Sequence, residues 1–103
     1  MLMHVKEKAD FDNQIKEGKV LVDFFATWCG PCKMLSPLVE SLSKEHDELK
    51  VLKVDVDEAE AIAAEYNIYS IPTLIYFENG KAVRTSVGYI GADQLKKFAG
   101  IQQ

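Results

Sequence analysis

Apolar and polar residues follow two different patterns along the chain, one typical of strands and one typical of helices. Val20–Ala26 is almost wholly apolar, as expected of a strand that is covered on both faces. In Pro31–His46 the apolar residues recur at intervals of three and four, which predicts an amphipathic helix. Asn79-Gly80 separates two β-rich runs and is a strong hairpin signal. The predicted strands are Met3–Val5, Val20–Ala26, Lys50–Val56, Thr73–Glu78 and Ala82–Val87, and the predicted helices are Asp10–Glu17, Pro31–His46, Ala59–Tyr66 and Ala92–Ala99.

The order of these elements predicts the fold class. Strands and helices alternate in the first part of the chain, which favours parallel strands, whereas the last part reads as a hairpin followed by a helix. We therefore expect one α/β domain over residues 1–103, with a central mixed five-stranded sheet flanked by four helices. Pro37 is expected to kink the long helix because proline lacks a backbone N–H. The apolar stripe of that helix assigns Ser43 to its polar side.

Composition and charge narrow the function classes. The chain has 103 residues, of which 48% are hydrophobic and 27% charged, as in an ordinary globular domain. Sixteen acidic residues against twelve basic ones give a net charge of −4. Because Lys96-Lys97 is the longest basic cluster, we expect no binding to nucleic acid or to a membrane surface. We see neither a membrane-length apolar run nor a secretion signal, so a cytoplasmic monomer is expected.

Two cysteines lie in the hexapeptide W-C-G-P-C-K, between the apolar strand and the long helix. Pro31 suits the first helical position, which places Cys29 just before the helix, near unpaired N–H groups and the positive end of the helix dipole. A thiolate is stabilised there, and the thiolate is the reactive form of cysteine. Cys32 lies three residues further on, a separation that suits a disulfide. One sulfur can thus attack a substrate disulfide while the other resolves the product.

Three other interpretations of the cysteine pair stay open. A structural disulfide would close a loop of only four residues, worth roughly 1.9 kcal/mol at most, and would need an oxidising compartment. A zinc site needs four ligands, and the remaining candidates, His4 and His46, are not at ligand spacing. The pair could also be two inert thiols. A C-x-x-C motif that follows an apolar strand and has proline before its second cysteine favours redox chemistry.

Longer stretches around this motif resemble the thioredoxin family. They are V-L-V-D-F-F-A-T-W-C-G-P-C-K-M-L-S-P-L, I-P-T-L-I-Y-F-E-N-G-K and the V-G-Y that follows, and the similarity extends over essentially the whole chain. The resemblance implies the thioredoxin fold and a protein-disulfide reductase. Cys29 would be the attacking thiolate and Cys32 the resolving thiol, and the two would form a redox-active disulfide.

Three further residues acquire roles from this resemblance. Asp23 lies within an apolar run, so it is either turned to water on an edge strand or buried with a raised pKa. The resemblance implies the buried aspartate that exchanges a proton with Cys32. Lys53 is either a surface lysine or, by resemblance, the lysine beside that carboxylate. The resemblance also implies that Pro72 is cis and packs against the sulfurs, which leaves the Ile71 backbone free to pair with a substrate.

The resemblance further implies a small apolar surface around the cysteines, which we call the docking patch. Trp28 is the single tryptophan and would otherwise be a candidate for the core. The docking patch would comprise Trp28, Gly30, Pro31, Ile71, Val87, Gly88 and Tyr89.

Electrons would reach this protein from outside. The sequence has no glycine-rich nucleotide loop, so we expect no bound nucleotide cofactor. We expect no metal either, because the two histidines are not at ligand spacing from the cysteines. The resemblance implies recycling by a thioredoxin reductase that uses NADPH, and disulfide-containing targets such as peroxiredoxins. Two alternatives remain: a protein disulfide oxidase or isomerase, which differs in reduction potential, and a non-catalytic binding subunit.

Overall fold

A mixed β-sheet forms the centre of the computed structural model, which describes residues 1–101. The five strands and four helices of this part are β1 (Leu2–His4), α1 (Lys8–Gln14), β2 (Lys19–Phe25), α2 (Gly30–Glu45), β3 (Leu49–Asp55), α3 (Glu60–Glu65), β4 (Thr73–Glu78), β5 (Lys81–Val87) and α4 (Ala92–Phe98). Every predicted element is present, with boundaries that differ by at most three residues, and β4 has the predicted bounds. No helix within residues 1–101 combines the length and the apolar character needed to cross a bilayer.

The strand order β1-β3-β2-β4-β5 confirms the predicted α/β architecture. The strands β1, β3 and β2 are parallel, whereas β4 runs antiparallel to β2 and forms a hairpin with β5. Strand β2 therefore has a hydrogen-bonded neighbour on each side. Its register pairs Asp23 with Lys53 on β3 and with Leu74 on β4.

Side chains alternate across β2 and separate two hydrophobic cores, one on each face of the sheet. Val20, Val22 and Phe24 belong to the core that includes residues of α1 and α3. Leu21 belongs to the second core, with residues of α2 and α4. Alternation therefore places Asp23 on the same face as Leu21, toward α2. The fold thus puts a carboxylate under the long helix, within the protein interior.

The long helix α2 differs from its prediction in two details. Its first helical residue is Gly30, so Pro31 occupies the second helical position, and the helix continues through Pro37 to Glu45. The placement of Ser43 on the polar side was wrong, since Ser43 is buried. The N-terminal residues, which come to lie beside this turn of α2, line a shared cavity with Ser43. The pattern within a helix does not show such covering by a distant segment.

Helix α1 begins two residues before the predicted Asp10 and ends three residues before the predicted Glu17. Gly18, which lies between α1 and β2, forms two hydrogen bonds with Asn79. Its N–H donates to Asn79 Oδ1 over 2.8 Å, and its carbonyl accepts from the Asn79 N–H over 3.0 Å. Asn79 and Gly80 both have positive φ, 50° and 89°, as a type I′ hairpin turn requires. The turn between β4 and β5 is thereby tied to the start of β2.

Candidate active site

Cys29 and Cys32 form a disulfide at the N-terminus of α2, with their Cα atoms 5.2 Å apart. Cys29 is the N-cap residue in an extended conformation, and its Sγ accepts the Cys32 N–H over 3.2 Å. Both cysteines are largely buried. Once the disulfide is reduced, the same N–H and the helix dipole stabilise negative charge on the Cys29 sulfur. The prediction that Cys29 lies just before the helix and Cys32 within its first turn is confirmed.

Asp23 and Lys53 lie under α2 as a buried pair, 1% and 6% exposed. Lys53 Nζ is 3.7 Å from Asp23 Oδ2, which is too long for a hydrogen bond. Neither carboxylate oxygen has a hydrogen-bond partner within the described residues. Burial raises the pKa of Asp23 from 3.8 to about 6, and the positive charge of Lys53 acts in the opposite direction. The surface alternatives for both residues are thereby excluded.

The Lys53 ammonium has two other partners. It donates a hydrogen bond to Ser36 Oγ over 2.6 Å, and Nζ lies 4.7 Å from the centre of the Phe25 ring. Sequence reasoning missed Ser36. The available signal was its position four residues after Cys32, which puts both side chains on one face of α2.

A cavity of about 210 Å³ lies between Cys32 and the Lys53 side chain. Cys32, Ser36 and Lys53 contribute to its lining, together with Phe25 and Lys33. The cavity can hold water, because one molecule occupies about 30 Å³ in the liquid. Water in this cavity can therefore lie beside both Cys32 and the Lys53 side chain, which is 3.7 Å from the Asp23 carboxyl.

The Ile71–Pro72 peptide bond is cis, as the resemblance implies. The Ile71 carbonyl oxygen lies 3.9 Å from Cys29 Sγ, and Pro72 itself is buried. The Pro72 carbonyl accepts the Gly88 N–H over 2.8 Å. Gly88 has φ 97°, a conformation that side-chain-bearing residues rarely adopt, and a Cβ there would point into open space. Another chain could therefore approach Gly88 without meeting a side chain there.

Apolar side chains surround this backbone at the surface. Trp28 is 69% exposed, which excludes a place in the core, and its Nε1 donates to Asp57 Oδ2 over 2.9 Å. Val87 and Tyr89 are also exposed. Gly30 and Pro31 are exposed, and Ile71 is half-buried.

Sequence reasoning also missed Asp57. Asp57 follows β3, and Trp28 follows β2. Because these two strands are parallel neighbours, their carboxyl ends meet at one edge, which was the available signal.

Metal ligands are not grouped in this region. Within the described part of the chain, no three His, Cys, Asp or Glu side chains are placed to hold a metal ion.

Comparison with known proteins identifies the family. The thioredoxin family model matches residues 2–100. The thioredoxin of Chlamydia trachomatis is 46% identical over 97 residues, which cover 94% of this chain and 95% of that protein. The thioredoxin of Staphylococcus epidermidis is 51% identical over 82 residues, or 79% of each chain. The solved structure of Plasmodium falciparum thioredoxin matches with a TM-score of 0.88 at 40% identity, covering 94% of this chain and 95% of that one. The structure of the oxidised mitochondrial thioredoxin 3 of Saccharomyces cerevisiae matches with a TM-score of 0.88 at 31% identity, covering 97% of this chain and 95% of that one. Together with the Cys29–Cys32 disulfide, these similarities show that the chain belongs to the thioredoxin family and is a thiol–disulfide oxidoreductase.

Proposed function

We propose that this protein reduces disulfides in other proteins, with Cys29 as the attacking thiolate and Cys32 as the resolving thiol. The observation that carries this assignment is the position of Cys29 at the N-cap of α2, where its Sγ accepts the Cys32 N–H over 3.2 Å. A backbone donor and the helix dipole lower the pKa of a thiol at this position. Cys32 lies one turn deeper and lacks this placement.

The reaction proceeds as two thiol–disulfide exchanges. The Cys29 thiolate attacks one sulfur of the target disulfide, and the second target sulfur leaves as a thiolate. Cys32 then loses its proton and attacks the Cys29 sulfur. The first target sulfur leaves as a thiolate, so the target gains two electrons and this protein carries the Cys29–Cys32 disulfide.

Asp23 serves as the proton acceptor for Cys32. A base works best when its pKa is near the working pH, and burial raises the pKa of Asp23 to about 6. The proton travels through water in the cavity that Cys32 and Lys53 both line. Lys53 supports the ionised form of the carboxyl across 3.7 Å.

The target binds as an extended segment across the docking patch. The Ile71 carbonyl oxygen lies 3.9 Å from Cys29 Sγ. The Ile71 backbone therefore pairs with the target segment next to the disulfide that is to be reduced. Gly88 presents no side chain, which allows close approach, while Trp28, Val87 and Tyr89 supply exposed apolar surface. Gly30, Pro31 and the buried Pro72 complete the frame around the sulfurs.

Reducing equivalents come from a separate thioredoxin reductase that uses NADPH, and this chain binds no cofactor. Its targets are disulfide-containing proteins such as peroxiredoxins, and it acts as a monomer in the cytoplasm. Family membership supports this placement. A reduction potential below the cytosolic glutathione poise, roughly −220 to −260 mV by extraction, agrees with a reductase, whereas a value well above it indicates an oxidase or isomerase.

The test compares wild type, Cys29→Ser and Cys32→Ser in the dithiothreitol-driven reduction of insulin. Only the wild type should turn over. When the pre-reduced variants are mixed with insulin after removal of dithiothreitol, Cys32→Ser should accumulate a mixed disulfide with the target, because the attacking thiolate remains and the resolving thiol is gone, whereas Cys29→Ser should not. Failure of the wild type to turn over refutes the reductase, and equal trapping by the two variants refutes the assigned roles. A second assay with NADPH and a thioredoxin reductase tests the recycling step.

A further inference from the structure

The Lys53 ammonium is shared unequally between two oxygen groups. It lies 2.6 Å from Ser36 Oγ, a short hydrogen bond, but 3.7 Å from Asp23 Oδ2. The Asp23 carboxylate accepts no hydrogen bond from any described residue, although it is buried. A buried carboxylate without donors would gain from a direct contact with the ammonium. The Lys53 ammonium is therefore hydrogen-bonded to Ser36 and not to the Asp23 carboxylate.

The hydrogen-bond chemistry fixes the direction of each bond. An ammonium only donates, so the Ser36 hydroxyl must accept from Lys53 and keep its own proton for another acceptor. That acceptor is Glu40, whose Oε2 lies 3.1 Å from Ser36 Oγ. The surface carboxylate thus orients the hydroxyl, and the hydroxyl orients the buried lysine.

We propose that Ser36 is a positioning residue, which keeps the Lys53 ammonium out of direct contact with Asp23 and so sets the pH at which that carboxyl ionises. This inference rests on the proposed function, in which Asp23 takes the proton of Cys32. A direct contact would stabilise the ionised form of Asp23 and lower its pKa. A carboxylate with a much lower pKa is a weaker base. The Ser36–Lys53 bond thereby maintains a base suited to neutral pH.

Other charged groups surround this pair. On the far side of β2, β4 places the apolar Leu74 opposite Asp23. The titratable or charged side chains that line a cavity together with Lys53 are His4 on β1, Lys6 after it, Asp55 and Glu58 at and after the end of β3, and Cys32 and Lys33 on α2. Glu40 on α2 is linked to Lys53 through Ser36. A change confined to the Ser36 hydroxyl removes none of these charges and releases only Glu40 from its hydrogen bond, so a comparison of variants isolates the effect of the hydroxyl.

The test follows the titration of the Asp23 side-chain carboxyl by carbon-13 NMR in the oxidised protein. In Ser36→Ala the ammonium loses its acceptor and turns to the carboxylate, so the midpoint should fall by roughly one pH unit. Ser36→Thr retains a hydroxyl and should titrate close to the wild type. Ser41→Ala is the matched control, because this serine is exposed on the same helix and lies outside the cavity that Lys53 shares with Cys32.

A midpoint in Ser36→Ala at or above the wild-type value overturns the inference, as does a fall of equal size in Ser36→Thr or Ser41→Ala. The pH profile of insulin reduction supplies a second readout, and its acid limb should move to lower pH in Ser36→Ala alone. The two proposals fail separately: a wild type without insulin reduction refutes the reductase, whereas the NMR midpoints decide the role of Ser36 in either case. Circular dichroism verifies that each variant is folded.

Discussion

Replacement of Asp23 by asparagine should remove a pH dependence of stability that the buried carboxyl imposes on the protein. Asp23 is 1% exposed, and its oxygens accept no hydrogen bond within residues 1–101. Burial raises its pKa from 3.8 to about 6, despite the opposing charge of Lys53. The folded state therefore holds this proton more tightly than the unfolded chain does.

The sign and size of the effect follow from this difference. Well below pH 3.8 the carboxyl is protonated in both states, and it causes no loss of stability. As the pH rises, the unfolded chain ionises first, so the free energy of unfolding falls until the folded carboxyl also ionises near pH 6. Because one pKa unit corresponds to about 1.4 kcal/mol, the total loss above that pH is about 3 kcal/mol.

Urea denaturation of the oxidised protein, followed by circular dichroism from about pH 3.5 to about pH 7.5, measures this effect. The difference in free energy of unfolding between Asp23→Asn and wild type should grow by about 3 kcal/mol across that range, in favour of the variant. Fixed effects of the amide, including its contact with Lys53, cancel in the comparison across pH. The exposed Asp47→Asn serves as a control. Parallel curves for wild type and Asp23→Asn would refute the raised pKa.

Three other substitutions test the packing, the turn and the docking patch. Leu35 is fully buried between α2 and the sheet, so Leu35→Ala should lower the free energy of unfolding in urea by about 2–5 kcal/mol, and a loss below about 1 kcal/mol contradicts this packing. Gly80 has φ 89°, so Gly80→Ala should cost about 1 kcal/mol in the same assay, and a neutral result would contradict the turn geometry. Trp28→Ala removes an exposed ring at the docking patch, so the KM for insulin should rise about fivefold with little change in kcat, since truncation of an interface aromatic costs about 1 kcal/mol or more. An unchanged KM would exclude Trp28 from target binding.

The sequence is most informative where a residue's environment follows from its immediate neighbours. The continuous apolar run around Asp23 favoured a strand covered on both faces, although it left an edge strand open, and the structure buries this carboxylate on a central strand. Cys29 and Cys32 could be placed at the helix start because the strand, the proline and the spacing are all local. The same logic predicted the hairpin at Asn79-Gly80.

Contacts between segments that are distant in the chain could not be predicted in this way. Ser36 contacts Lys53 because of where α2 lies along β3 in the packed structure, and no local sequence pattern specifies that position. Ser43 is polar and off the apolar stripe, yet it is buried, and it lines a cavity together with Met1 and Leu2 of the N-terminal segment. The hydrogen bond from Trp28 to Asp57 joins two different loops. The contacts around Cys32, Asp23 and Lys53 therefore follow from the packing of the whole fold.

Alkylation of the reduced protein tests most directly whether the helix start activates one sulfur in preference to the other. Iodoacetamide is added across a pH series, and mass spectrometry reports the modification of Cys29 and Cys32 separately. Cys29 should react first, with a midpoint well below the value of about 8.5 for free cysteine, while Cys32 stays unmodified until higher pH. Equal rates at the two sulfurs, each with the midpoint of free cysteine, would contradict the account.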